Sequence, residues 1–221
     1  MSFKEALVLI GGISSPSKMP FGSWSTSAFD CKVGTKLRAV KGSTCSSCYA
    51  TRGNYGFKNV KEAHNRRLAA LSDPRFVEAF VIVLKSLYKH TKKTYLFEGK
   101  EIKENRWRWH DSGDLQSLDH LVMINDIALQ TPFLVHWIPT REIGIVNEYL
   151  KSGRTFASNL LVRISATMVG QTYATRPMGL PFSTVGVDAA PAQCPAYQQG
   201  GKCLDCSNCW DATKDVNYSL H

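Results

Sequence analysis

The residues of this chain best suited to chemistry are its seven cysteines, which fall into two groups. The run "CPAYQQGGKCLDCSNCW", residues 194–210, holds Cys194, Cys203, Cys206 and Cys209, the last three spaced C-x2-C-x2-C. Thiolates are soft ligands, and three at this interval with a fourth nearby resemble the run that wraps a [4Fe–4S] cluster. Tetrahedral zinc more often takes two separated C-x2-C knuckles, or mixes in histidine. Both metals are compatible with the spacing, as is a metal-free cysteine cluster. Nearer the N-terminus, "FDCKVGTKLRAVKGSTCSSCYA" sets Cys31 ahead of the pair Cys45 and Cys48. Three thiolates can hold a cluster or ion and leave one coordination position open, where a ligand reacts. The plainer alternative is a buried Cys31 and a pair that borrows its other ligands.

Compartment bears on what those thiols do. "MSFKEALVLIGG" lacks the cleavage site of a signal peptide, and no apolar stretch is long enough to cross a bilayer. The expectation is a soluble cytoplasmic protein without a membrane partner, where thiols stay reduced. An odd number of cysteines also fits a disulfide set poorly.

The elements that must position the thiols come next. With 221 residues and 43% hydrophobic content, one domain over 1–221 with a sizeable core is expected. It divides into a basic cysteine-containing loop over 18–60, an α/β core over 60–190 and the cysteine-rich segment over 191–211. "DPRFVEAFVIVLKSLYKH" predicts a helix capped by Asp73 with Pro74 at its first position, and an earlier helix is expected from Val60 to about Leu71. Strand-like runs "RWRWHD", "FLVHWIP", "LLVRISATM" and "STVGVD" then alternate with the helical patterns "SLDHLVMINDIALQ" and "IGIVNEYLKSG". Such alternation predicts an α/β fold, a partial (β/α) barrel or open parallel sheet with crossover helices, with cysteine-rich metal-binding loops at both ends of the chain. "ISSPSKMPFGSWSTSAFD" reads as a structured loop over the site, and the tail "DATKDVNYSLH" as a polar, mobile end that closes on His221.

In parallel α/β folds the C-terminal ends of the strands carry the site. "WHDSGD" puts His110, Asp111 and Asp114 around Ser112 and Gly113, "IPTRE" puts Thr140 and Arg141 at the next strand end, and "VRISATM" offers Arg163 and Ser165 after that. We assign catalytic roles to Asp111, Asp114, His110, Thr140 and Arg141, and cofactor binding to Ser112, Gly113, Arg163 and Ser165. The structural alternatives are helix capping by either aspartate, an ion-pair role for Arg163 and a core position for His110. No phosphate loop, dinucleotide fingerprint or serine triad is present.

Charge points to a partner. Residues 1–110 carry 20 Lys and Arg against 8 Asp and Glu, whereas the remainder has 7 against 10. Basic segments such as "KVGTKLRAVKG", "HNRRL" and "KHTKK", with Tyr49, Tyr55, Trp107 and Trp109 among them, suit nucleic acid, DNA ahead of RNA. The alternating tryptophans also fit a sheet face.

The succession "CSSCYA", "HNRRL", "RWHDSGDLQS", "WIPTRE" and "CPAYQQGGKCLDCSNCW" resembles a family of small phage proteins called gene product eighty-eight, over roughly residues 18 to 211. It is also similar, more distantly, to phage proteins assigned to the radical S-adenosylmethionine (SAM) superfamily. That resemblance implies a [4Fe–4S] cluster held by Cys31, Cys45 and Cys48, with SAM on the fourth iron. It places the 110–114 loop where the superfamily's glycine-rich segment contacts the SAM amino group. The superfamily's usual spacing is C-x3-C-x2-C, whereas thirteen residues separate Cys31 from Cys45 here. "DSGDLQS" is also similar to the base-holding segment of tRNA-guanine transglycosylases. The expected function is therefore a SAM-using, metal-centre-dependent enzyme that modifies a nucleic-acid base in the host cytoplasm, supplied with electrons by a host reductase. Its cofactors are [4Fe–4S] clusters or zinc, and SAM. The alternatives are a zinc-stapled nucleobase methyltransferase or base-exchange enzyme, and a zinc-stapled nucleic-acid-binding protein without activity.

Overall fold

The computed structural model describes residues 1–19, 21–187 and 192–220. The end of the expected "STVGVD" strand at Asp188 and the terminal His221 lie outside the described residues. In chain order the elements are α1 (Phe3–Leu9), β1 (Ser23–Trp24), α2 (Lys32–Leu37), α3 (Lys58–Ala70), α4 (Phe76–His90), β2 (Thr94–Phe97), β3 (Lys100–Lys103), β4 (Arg106–Trp109), α5 (Leu118–Leu129), β5 (Val135–Thr140), α6 (Ile143–Lys151), β6 (Leu160–Ser165), β7 (Phe182–Val185), β8 (Ala192–Gln193) and β9 (Val216–Tyr218). Seven strands form one parallel sheet in the order β1-β4-β5-β6-β7-β9-β8, and β2 with β3 forms a separate antiparallel hairpin. The α/β sequence pattern and its crossover helices are thus realised as a mostly parallel sheet.

Alternation along the strands divides the sheet into two faces. Trp24, Trp107, Trp109, Ile138, Leu160, Val162 and Ile164 join the main core with Phe76, Phe80 and Leu84 of α4 and Leu121 and Ile124 of α5. Trp107 and Trp109 are both fully buried there, Trp109 packing 4.7 Å from Phe80. The other face carries Trp137 and Leu161, and the cysteine-rich segment covers it through Cys203, Cys209 and Trp210. One face therefore takes the helices and the other takes the thiols.

Four local expectations change. The helix expected from Asp73 starts at Phe76, because the Asp73 carboxylate instead accepts from the Arg75 amide at 2.9 Å and pairs with its guanidinium at 2.7 Å. The loop over 13–30 contains β1, which pairs with β4 through Ser23 and Trp24. The polar tail is built into the sheet as β9. Asn217 there bonds Thr184, the Val187 amide and Gln193, and Asp215 pairs with Arg176 at 3.1 Å. The β2–β3 hairpin has no counterpart in the sequence expectation; Glu98 and Gly99, both at positive φ, make its two-residue turn. Among the described residues no helix is long and apolar enough to cross a membrane.

Candidate functional site

The strands end around one cavity of about 550 Å³. All seven cysteines line it, together with His110, Asp111, Ser112, Gly113, Asp114, Arg141 and Ser165. The two groups thus share a space despite their distance in sequence. No two of the thiols are bridged.

The first group is fastened to three strand ends. Cys31 stands at the start of α2, and Glu142, buried after β5, accepts from the Val33 amide at 2.8 Å to hold that turn. Thr44, beside Cys45, donates to the Ala166 carbonyl after β6 and accepts from Arg141 Nε at 2.9 Å. Tyr49, next to Cys48, donates to the Asp111 carbonyl after β4. Gly34 keeps the space between the sulfurs open. A Cβ there would stand 2.9 Å from the Cys31 Cβ and 3.6 Å from both the Cys31 and Cys45 sulfurs.

The second group is held by buried arginines of the thiol-bearing face. Arg106 pairs with Glu104 at 2.7 Å and donates to the Cys206 and Leu204 carbonyls. Arg163 donates to the carbonyls of Phe182, Asn208, Cys209, Asp211 and Lys214. Its guanidinium shapes the segment and is not among the lining residues, and among the described residues no carboxylate lies within 4.0 Å of it. The Cys194 amide donates to Asn217 in β9, the Cys203 amide to Lys18, and the Cys209 sulfur lies 3.2 Å from the Tyr218 hydroxyl.

The loop after β4 is constrained by what it touches. Gly113 has φ +77° and packs on Thr26, where a Cβ would come within 2.8 Å of the carbonyl oxygen. Asp111 accepts from Ser23 Oγ at 2.6 Å and from the Tyr55 hydroxyl at 3.1 Å. Asp114 accepts from Thr140 Oγ1 at 2.6 Å, the Arg141 amide at 2.9 Å and the Leu115 amide at 2.8 Å. Neither aspartate caps the following helix, since Ser117 does so. Thr140 therefore acts by holding Asp114, and is not among the lining residues. His110 adopts φ +60°, and both its ring nitrogens are buried without a partner, as is the Ser112 hydroxyl. A strained backbone and orphaned polar atoms are costly, and they concentrate at sites that receive a ligand.

Electrostatics separates these groups. Burial, resisted by its three hydrogen bonds, pushes Asp114 up to about 6. Burial, together with the Arg108 charge, holds His110 neutral, with a pKa of about 3. Burial first, then Asp114 and the other two thiols, pushes Cys31 well up. Burial raises Cys209 to about 12 against a hydrogen bond from Tyr218 and the Arg163 charge. These thiols are poor anions by themselves, and a bound cation is what would make thiolates of them. Among the described residues no three His, Cys, Asp or Glu side chains are gathered tightly enough to hold a single metal ion.

Residues outside the sequence expectation also shape the site: Ser23, Thr26, Thr44, Arg108, Glu142 and Tyr218. Two carried a signal. Glu142 directly follows Arg141 in "IPTRE", and the charged alternation of "RWRW" is unusual for a parallel strand buried on both faces. The gene product 88 family matches residues 17–212. Neither a curated protein nor a solved structure matches the chain.

Proposed function

The chain belongs to the gene product 88 family of phage proteins, and on that premise we propose that it is a SAM-using, metal-centre-dependent enzyme that modifies nucleic acid at a base. One observation carries this reading. Seven thiols from two distant segments converge on a single cavity at the C-terminal ends of parallel strands, the place where such folds do chemistry.

The residues fit the implied groups. The donor set is entirely sulfur, which suits iron–sulfur clusters or zinc. The space that Gly34 leaves before the sulfurs of Cys31 and Cys45 is one that a side chain would fill. Cys31, Cys45 and Cys48 would hold the centre with an open position, and Cys194, Cys203, Cys206 and Cys209 an auxiliary one. A cluster held there would supply one-electron reductive cleavage of SAM, with methionine leaving, and so the means to take hydrogen from a substrate. The protein's own part is positional. The 110–114 loop borders the first group, with Gly113 allowing close backbone approach and the Ser112 hydroxyl free to bond a polar ligand. Arg141 ties Asp114 and Thr44 together across the cavity wall, so loop and cysteines keep one spacing.

Asp114 supports a second reading. Its raised pKa suits polar acid–base transfer on a base, in a protein whose cysteine groups would have to close further to grip zinc. One experiment separates the two. Anaerobic purification followed by iron, sulfide and zinc analysis should give a brown, oxygen-sensitive protein with acid-labile sulfide. Cys45→Ala should abolish SAM cleavage while leaving the fold intact. A colourless protein with stoichiometric zinc and full activity in air rejects the radical reading.

A further inference from the structure

Three arginines of β4 and β6 point from the thiol-bearing face of the sheet, and they are not equivalent. Arg106 spends its donors on Glu104 and on two carbonyls of the cysteine-rich segment. Arg163 spends its own on five carbonyls. Arg108 does neither. Its Nη2 reaches the His110 carbonyl at 3.3 Å, its Nη1 lies 4.0 Å from the Met19 sulfur, and its Nε is buried with no partner. The guanidinium lies over the Trp137 ring at 4.9 Å and lines the cavity. Tyr49, beside the first cysteine group, Cys209, in the second, and Tyr218, in β9 against it, are close enough to act on it electrostatically, as is Asp111. Arg108 therefore stands between the two groups.

No carboxylate pairs with it directly. Among the described residues no carboxylate lies within 4.0 Å of Arg108, nor of Lys18, Arg38 or Arg141, which line the same cavity. The two carboxylates of the lining, Asp111 and Asp114, are already satisfied by hydroxyl and amide donors. A largely buried cation with most of its five donors idle is expensive unless a ligand anion completes it. A planar fork stacked on an aromatic face matches phosphate bidentately. Three further unpaired cations on the same walls favour a multiply charged group over a single carboxylate.

We propose that Arg108 anchors a phosphate group of the substrate, seating one nucleotide in the cavity between the two cysteine groups. This rests on the reading of the substrate as nucleic acid.

The test uses the full chain, purified anaerobically with its metal, and equilibrium dialysis against 2′-deoxyadenosine 5′-monophosphate, deoxyadenosine, inorganic phosphate and acetate. The monophosphate should bind about tenfold or more tightly than the nucleoside, as expected for a charge-assisted hydrogen-bonded pair, and phosphate should compete where acetate does not. R108Q should erase that preference while keeping wild-type metal content, and R108K should restore part of it. An equal preference in R108Q, or competition by acetate as strong as by phosphate, overturns the assignment. So does an R108Q protein that loses metal but keeps the preference, since Arg108 would then serve the thiolates. Phosphate competition on the wild-type chain keeps the test decisive if R108Q fails to fold. A zinc-only protein with Arg108-dependent phosphate binding would sink the radical reading and leave this one standing. A SAM-cleaving protein without that dependence would do the reverse.

Discussion

Asp114 accepts three hydrogen bonds, each of which favours its carboxylate, yet burial outweighs them and raises its pKa from 3.8 to about 6. The consequence for stability has a definite sign. Between those values the folded chain keeps a proton that the unfolded chain has lost. The stabilising preference is complete below pH 4 and fades as pH rises to 6, by about 3 kcal/mol in all. Urea unfolding of the wild type should therefore weaken across pH 4 to 6.5 relative to Asp114→Asn, which has no proton to lose. Parallel curves for the two proteins would show that burial does not set this group's ionisation. Asp114 was legible as a site residue from its place after a strand. Its partner Thr140 was also assigned to the site, but its bond to Asp114 was not legible, because which hydroxyl meets which carboxylate depends on β4 and β5 lying side by side.

At the level of elements, the cysteine-rich segment has little regular structure of its own and takes its shape from the sheet beneath it. Arg163 and Arg106 bind its backbone carbonyls, and Trp210 Nε1 donates to the Trp107 carbonyl at 3.0 Å. Replacing Arg163 with Met keeps bulk but strands several buried carbonyls. A loss of a few kcal/mol follows, since each buried acceptor left unsatisfied costs about 1–3 kcal/mol. Limited proteolysis should then cut within 198–208 far faster than in the wild type. Unchanged cleavage would mean the loop holds itself. Sequence alternation put Arg163 on a defined face of its strand but said nothing about what covers that face. The same limit hid β1 and β9, since two or three residues are too few to show a strand period.

Across the whole molecule, basic residues concentrate in the first half of the chain rather than spreading evenly. Lys32, Lys36, Lys41, Arg52 and Lys58 are exposed on the 28–60 segment that carries the first cysteine group, with Phe29, Tyr49 and Phe57 each more than half exposed among them. Cations interleaved with exposed aromatic rings suit a single strand whose bases can stack. Fluorescence anisotropy with a single-stranded oligonucleotide should show affinity falling between 50 and 200 mM salt. Reversing Lys36 and Lys41 to Glu should flatten the log–log slope by about 0.7 for each phosphate no longer neutralised. A slope unchanged by those reversals would remove this segment as the binding surface.

Residue types and short-range spacing alone determined which sulfurs are available, that strands β4 to β7 alternate with α5 and α6, and that the loops after them carry the polar groups. Those features are local, written in periods of two and 3.6 residues. Only the tertiary structure decided that Cys31 and Cys209 open onto one cavity, that Arg163 is consumed by backbone carbonyls, and that Arg108 Nε is left without a partner. Each of those outcomes depends on segments far apart in sequence meeting across the sheet. A guanidinium's role is settled by the acceptors that fold next to it, and no pattern within its own strand records them.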